Sequence, residues 1–479
     1  MAHLQAKLVA RGRRLTLLDL YLRGDPPLPR EVDRSTRQYF REFMRRSRTN
    51  FAELVVEAVR ERMVVRGFRT AAAEDDMGDS AAWDIWKANG LAVESGDVHE
   101  LMLALGDAYG IAGLDGDGNP IITGEDPRQV ATASDPARPQ NIVAGLKIFH
   151  DSINDMDLAY LYLPGRVMIA GSQRKARTEV SAQNVSFSPM GWDWLDPYLE
   201  RVVDIEDDDL ISVQSLPPQA QDVVPVVRFA NKRFRGEFEG HMDILERINH
   251  TILQRQVISS FQAFKQRAVI GDLPDTDPQT GQQINYDELF SSDPGAFWRL
   301  PTGTDMWESG AGDLTAILSS IEADVQHLAA VTRTPMHYLT PGEASQSAEG
   351  ASLQREGLVF KTEDRIARAT VGWARLMSMA FLFQGDEVRA KLSSLEPLWA
   401  PVERYGLAER ASASAQAVAL PWETLMEQVW QLTPEQLARA RTQRTDDQVL
   451  AQQAALLAAA TGHGPQPPAL PPALVVSGD

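Results

Sequence analysis

Two apolar stripes at helical spacing, divided by an insert that cannot be helical, dictate the architecture of this chain. From Phe238 to about Gln266, apolar residues fall at Leu245, Ile248, Ile252, Leu253, Val257, Phe261 and Phe264, the steps of one helix face. From Asp313 to Val331 the same template is met by Leu314, Ile317, Leu318, Ile321, Val325 and Leu328. Between them lie Pro274, Asp275, Asp277, Pro278, Gly281 and Asp293-Pro294-Gly295, residues that punctuate turns. Strand-like runs, Arg267 to Ile270 and Ala296 to Leu300, flank that turn-rich centre.

Thr334-Pro335 ends the second helix, because proline lacks a donor and disfavours a helical residue before it. A polar segment, Met336 to Ser347, leads to a third helix from about Ala348 to Phe383, long enough to span roughly 50 Å. Gly350, Gly357 and Gly372 are costly inside a helix and predict kinks or close packing. After about residue 402 an Ala-, Glu- and Gln-rich composition predicts helix to 461. Thr461 to Asp479 carries Pro465, Pro467, Pro468, Pro471 and Pro472 and reads as an extended, mobile tail.

The first half is mixed. Residues 33–68 read as helical, with Asp33 at the start and Phe40, Met44, Phe51, Leu54, Val55 and Val59 apolar. Trp83 to Gly90 is a short helix stopped by Asn-Gly, and His99 to Tyr109 is helical again. Ile111 to Gly124 encloses Gly-Leu-Asp-Gly-Asp-Gly-Asn-Pro between apolar ends and predicts a hairpin. Ile142 to Phe149, Ala159 to Leu163, Val167 to Ala170 and Val223 to Phe229 are strand candidates. Loops are expected at Ala131 to Gln140, around Glu206-Asp207-Asp208-Asp209, and at Pro217-Pro218.

At 479 residues the chain calls for two or more packed regions. A hydrophobic fraction of 43% and a charged fraction of 24% suit a folded protein. There is no cysteine, which excludes disulfides, thiolate metal sites and Cys nucleophiles and fits a reducing compartment. Lys7, Arg11, Arg13 and Arg14 precede the apolar stretch Leu15 to Leu22, but Asp19 and Pro26-Pro27 do not suit a signal peptide. Val371 to Phe383 contains Arg375 and is too short to span a bilayer. The expectation is a soluble protein made and used in the cytoplasm, without a membrane partner.

Net charge is −19, a poor basis for gripping nucleic acid over a broad surface. Residues 1–70 nevertheless hold 16 Lys and Arg against 8 Asp and Glu, leaving 31 against 58 for the remainder. A basic helical face explains this; the sharper alternative is a segment that meets nucleic acid or an acidic partner.

Motifs for chemistry are few. There is no Walker A loop, Rossmann glycine fingerprint, HExxH or GxSxG. His327 and His337 read as isolated histidines rather than metal ligands. Asp115-Gly116-Asp117-Gly118-Asn119-Pro120 begins like a calcium loop, but Pro120 stands where glycine is needed and Asp126 closes it, so a hairpin turn is the better reading. The acidic run 206–209 suits a solvated loop better than a divalent-ion site. Trp192, Trp194 and Tyr198 suit base stacking or packing equally well. No catalytic residue, metal site or cofactor is expected.

The order of elements resembles the portal proteins of long-tailed double-stranded-DNA phages. Pro225-Val226-Val227-Arg228-Phe229-Ala230-Asn231 looks like that family's strand before the first stem helix. Thr334-Pro335-Met336-His337-Tyr338-Leu339-Thr340 and Ser345-Gln346-Ser347-Ala348-Glu349-Gly350 resemble its loop-to-helix junction. Tyr21 to Pro29 and Trp86-Lys87-Ala88-Asn89-Gly90-Leu91 resemble portals of phages infecting actinobacteria. Departures occur at Tyr21-Leu22, where many relatives carry Tyr-Tyr, and at Gln346-Ser347.

The resemblance implies an α+β, mainly α portal fold with wing, stem, clip and crown. Its parts fall at 1–237 (wing), 238–266 and 312–332 (stem helices), 267–311 (clip), 333–348 (channel loop), 349–385 (kinked wing-to-crown helix), 386–461 (C-terminal wing and crown) and 462–479 (tail). The loop would place Arg333, Thr334, Pro335, His337, Tyr338, Thr340, Gly342, Glu343, Ser345, Gln346 and Ser347 along the channel. Leu245, Ile248, Ile252, Val257, Phe261, Leu314, Ile317, Leu318, Ile321, Val325 and Leu328 would pack the stem. The implied function is a ring of about twelve subunits at the capsid vertex of the virion. Double-stranded DNA would be packaged and ejected through it, contacted only weakly and without sequence preference. The implied partners are the terminase large subunit, head–tail adaptor, major capsid and scaffolding proteins. An acidic channel wall would let DNA slide by repelling phosphates. The competing readings are another connector or adaptor protein and a hydrolase using two carboxylates; a membrane channel lacks a lipid-facing segment.

Overall fold

The computed structural model describes residues 1–27, 43–72, 78–154, 156–173, 185–187, 193–195, 210–263, 267–276, 281–286, 290, 303–308, 310, 314–340, 348–403, 406–417 and 419–461. Helix α1 (Ala2–Leu22) is followed by α2 (Phe51–Arg60), β1 (Val65–Arg69), α3 (Ser80–Ala88) and α4 (Leu91–Leu105). Strands β2 (Asp107–Leu114), β3 (Pro120–Glu125), β4 (Val130–Ser134), β5 (Ile142–Asp151), β6 (Met156–Leu163) and β7 (Arg166–Gln173) come next. They lead to β8 (Val185–Phe187), β9 (Asp193–Leu195), β10 (Leu210–Ser215) and β11 (Val226–Ala230). The rest comprises α5 (Met242–Ala263), β12 (Arg267–Ile270), β13 (Asp305–Glu308), α6 (Thr315–Thr332), α7 (Met336–Leu339), α8 (Ala348–Gln384), β14 (Glu396–Trp399), α9 (Leu407–Gln416), α10 (Trp422–Thr424) and α11 (Pro434–Thr461).

The main core lies between α8 and the three-stranded sheet β11-β2-β3, with α2, α3 and α4 packed around it. Trp373 is its centre: its ring meets Trp86 at 4.9 Å and Phe229 at 4.8 Å, and its indole N–H donates to His99 Nε2 at 2.8 Å. Aromatic rings in such offset and edge-on contacts bury large areas with directional preference. Gly372 explains how α8 comes so near the sheet, since a Cβ there would lie 2.2 Å from the Phe229 ring. The expected close packing is thus found at Gly372, while nothing lies within 4 Å of a Cβ built at Gly357.

A five-stranded antiparallel sheet, β10-β7-β6-β5-β4, forms a second layer. One face packs on α1 through Leu4 and Leu8 against Ala131, Leu146, Ile148 and Ala159. The other meets Tyr109, Ile111 and Val226.

Several expectations need correction. The helix read over 33–68 is interrupted: Thr49 donates from its backbone and hydroxyl to Asn249 Oδ1, and α2 begins only at Phe51. Its last part is strand β1, which pairs with β14 in the register Val65 with Trp399 to Arg69 with Glu396. The helix read over His99 to Tyr109 ends at Gly106, whose φ of 93° turns the chain into β2. The loop expected at Ala131 to Gln140 begins as β4, because Val130 and Ala131 are buried and paired with β5. The 402–461 segment is helical in pieces: Pro421 and Gln431, with φ 57°, interrupt it. The partner of β12 is β13, downstream of Ala296 to Leu300, which lies outside the described residues. Residues 33–42, 206–209, Trp192, Tyr198 and the tail after Thr461 also lie outside them.

The hairpin β2–β3 is as expected. Asp115 accepts from the Asp117 and Asn119 backbone N–H groups at 2.9 and 2.7 Å and from the Asn119 amide, which together hold its carboxyl below the usual range. Its lone pairs serve the turn. Among the described residues no three or more His, Asp or Glu side chains gather as a metal site, and no helix is long and apolar enough to cross a membrane.

Candidate functional site: a helical hairpin and the segment that leaves it

Helices α5 and α6 lie against each other and are joined at their far end through the β12–β13 ribbon. Their roots are buried and their distal ends are not. Leu245 and Ile248 on α5, and Val325 and Leu328 on α6, belong to the main core. Ile252 and Ile321 pack against it. Val257, Leu314 and Ile317 are half-buried, and Leu318 is 41% exposed. The Phe261 side chain lies outside the described residues. Arg247 and Asp324 bridge the two helices near the root at 2.8 Å. Beyond the hairpin the ribbon shows Met306, Trp307 and Ile270, all exposed.

The segment leaving α6 is built on a Schellman turn. Arg333 takes the left-handed conformation, φ 55° and ψ 39°, that glycine usually fills. Thr334 N–H then reaches the Ala329 carbonyl at 3.0 Å and Arg333 N–H the Ala330 carbonyl at 3.4 Å. Thr334 and Pro335 are buried; Arg333 and His337 are exposed. Pro335 starts α7, whose Leu339 is in the core. Tyr338 meets both Glu61 and Arg62 at the end of α2, and Thr340 N–H returns to the Met336 carbonyl at 2.8 Å. The polar segment therefore starts as an anchored pedestal, not as open loop. Gly342, Glu343, Ser345, Gln346 and Ser347 lie outside the described residues.

Sequence reasoning did not single out the charged cluster under this pedestal. Glu237, just ahead of α5, is 4% exposed and receives Lys361 Nζ at 3.0 Å and Arg365 Nε at 2.6 Å, both from α8. Asn231 Nδ2 adds a bond at 2.9 Å. Burial alone would raise the Glu237 carboxyl, but Lys361, Arg365 and Asn231 outweigh it and hold it down to about 2. Lys361 shares this one carboxylate with Arg365, so burial prevails there and lowers its ammonium. The signal was present: Lys361 and Arg365 fall on the α8 stripe of Leu358, Ala369 and Trp373, where charge is out of place.

Several basic residues of the N-terminal segment are paired within the protein. Arg11 and Arg228 share Asp107, Arg14 holds Glu239 at 2.6 Å, Arg48 meets Asp25 and Arg60 meets Glu57.

A family model described as phage portal protein, SPP1 Gp6-like, matches residues 2–449. The chain belongs to that family of phage structural proteins. Among solved structures, it is similar to a chain in the neck of a native gene transfer agent particle computed with C12 symmetry. That pair shares 13% identity and a TM-score of 0.40 over 86% of this chain and 98% of that one. A chain in the neck of an empty particle computed with C6 symmetry shares 13% identity and a TM-score of 0.44 over 84% and 94%. A chain from the virion of a native particle shares 13% identity and a TM-score of 0.42 over 87% and 98%. No curated protein matches.

Proposed function

We propose that copies of this chain close into a ring at one capsid vertex of a phage-like particle, and that double-stranded DNA enters and leaves through its centre. The hairpin carries this reading. Its apolar stripes continue past the point where the body can cover them, in a chain matched by the portal family over nearly its whole length. Half-buried Val257, Leu314 and Ile317 and exposed Leu318 then find cover on the next subunit, in the head-to-tail contact that closes a ring. In this assignment α5 and α6 form the stem and 267–311 the clip that terminase and adaptor engage. Residues 333–348 line the channel, 349–385 link wing to crown, 1–237 form the wing and 386–461 the remaining wing and crown. Capsid and scaffolding proteins surround the ring. The protein is structural and not an enzyme. Its acidic excess lies partly on the channel wall, where it keeps phosphates sliding; a lumen basic along its length would contradict that part.

Native mass spectrometry with negative-stain imaging of the purified chain tests the reading. Rings of roughly a dozen subunits with a central hole support it. A chain that stays monomeric at high concentration and with scaffolding protein present overturns it in favour of an adaptor.

A further inference from the structure

We propose that Lys361 is the positioning residue for the segment 333–340: reaching across from α8, it caps the last turn of α6 and fixes the direction in which the chain leaves the hairpin. The functional consequence rests on reading 333–348 as the channel loop; the structural claim does not.

A helix ends with four carbonyls that have no partner inside it. In α6 the Schellman turn satisfies those of Ala329 and Ala330. Thr332 Oγ1 bonds back to the Leu328 carbonyl at 2.7 Å and lies 2.9 Å from Thr334 Oγ1. Two carbonyls remain at the negative end of the helix: that of Val331, an exposed residue, and that of Thr332, a buried one. Lys361 Nζ donates to the Thr332 carbonyl at 2.9 Å. A cation there meets both the lone pair and the helix dipole.

The α8 stripe gives no packing reason for a lysine at this point. Its neighbours on the stripe are Leu358 and Arg365, with Ala369 and Trp373 beyond, and Lys361 is itself only 7% exposed. Burying an ammonium is costly unless its hydrogen bonds are met. Here they are met by two other elements, the carbonyl that ends α6 and the Glu237 carboxylate that precedes α5. One nitrogen therefore joins both roots of the hairpin to the long helix. The two halves of its role are separable. Without Lys361, Glu237 keeps Arg365 and Asn231, whereas the Thr332 carbonyl has no other described side-chain donor. The loss should be felt at 329–340 and not across the fold.

Tyr338 and Leu339 offer a rival explanation, since their contacts with α2 and the core also hold the pedestal. The experiment separates the two. Hydrogen exchange is followed by mass spectrometry on the full chain, unaltered and as Lys361→Met, with peptides over 329–340 as reporters and the β5–β6 hairpin as internal reference. Lys361→Met should speed exchange over 329–340 by roughly ten- to a hundredfold and leave the reference unchanged. Lys361→Gln, which keeps a donor without the charge, should recover part of the protection, and it serves if Lys361→Met does not fold. Unchanged exchange over 329–340 in Lys361→Met, or in Lys361→Gln where Lys361→Met does not fold, overturns the proposal in favour of the rival. An equal rise in both regions also overturns it, since that is what a merely structural lysine would give. DNA content of particles built with Lys361→Met is read separately. Faster exchange at 329–340 with full DNA content would uphold the Lys361 role and sink the channel reading of the loop.

Discussion

The neighbourhood of Trp373 and the distal half of the α5–α6 hairpin use the same apolar residue types to different ends. Around Trp373, rings and aliphatic side chains from α3, α4, α8 and the β11-β2-β3 sheet close on all sides. Along the hairpin, cover runs from Ile248 and Leu328, fully buried, to Leu318, 41% exposed. The first region is finished by its own chain. The second is left partly uncovered by its own chain. Apolar spacing alone does not distinguish them, because a helix stripe looks the same whichever chain covers it.

Substitutions can break or sharpen this contrast. Trp373→Ala should be the most damaging, removing about 3–5 kcal/mol of stability by opening a cavity and orphaning the His99 contact; chemical unfolding measures it. Acid is next. Burial holds the His99 imidazole down to about 3, so the folded protein resists a proton that the unfolded chain accepts below about 6.5. The stability is complete above that value and is lost as pH falls, by about 2 kcal/mol at pH 5. His99→Gln should flatten the urea midpoint over this range. Glu237 adds a second loss at lower pH: its depressed carboxyl stabilises the fold above about 4.5, and this fades towards 2.

At the hairpin the effects on the monomer should be small. Arg333→Gly relieves a left-handed residue and should stabilise the fold by about 0.5–1 kcal/mol, seen as a raised melting temperature. Leu318→Ser should change monomer stability by less than about 0.5 kcal/mol yet reduce the fraction of rings in native mass spectra. A monomer as strongly destabilised by Leu318→Ser as by Trp373→Ala would erase the distinction between the two regions.

What the sequence made legible follows from range. The stripes of α5 and α6 and the stop at Thr334-Pro335 are local patterns, and their positions are met within a few residues. The long helix is also local, and Gly372 announced the close approach that Phe229 explains. Strands β1 and β14 were missed, because each acquires its identity from a partner across most of the chain. The Glu237 cluster was missed for the same reason: Lys361 and Arg365 look misplaced until the carboxylate arrives from another element. For the loop, Thr334 and Pro335 are polar or turn residues by type yet sit buried, which composition does not reveal.

The β1–β14 pairing also sets a clock. Val65 pairs with Trp399, Arg62 bonds the Val402 carbonyl and Arg66 the Gln431 carbonyl. A ribosome adding about 5–20 residues per second needs roughly 15–70 s to go from the first of these partners to the second. During that time the early helices are without the strand that completes their layer, and Trp86 is without Trp373. Growing chains therefore pass through a partly exposed state before that layer can close.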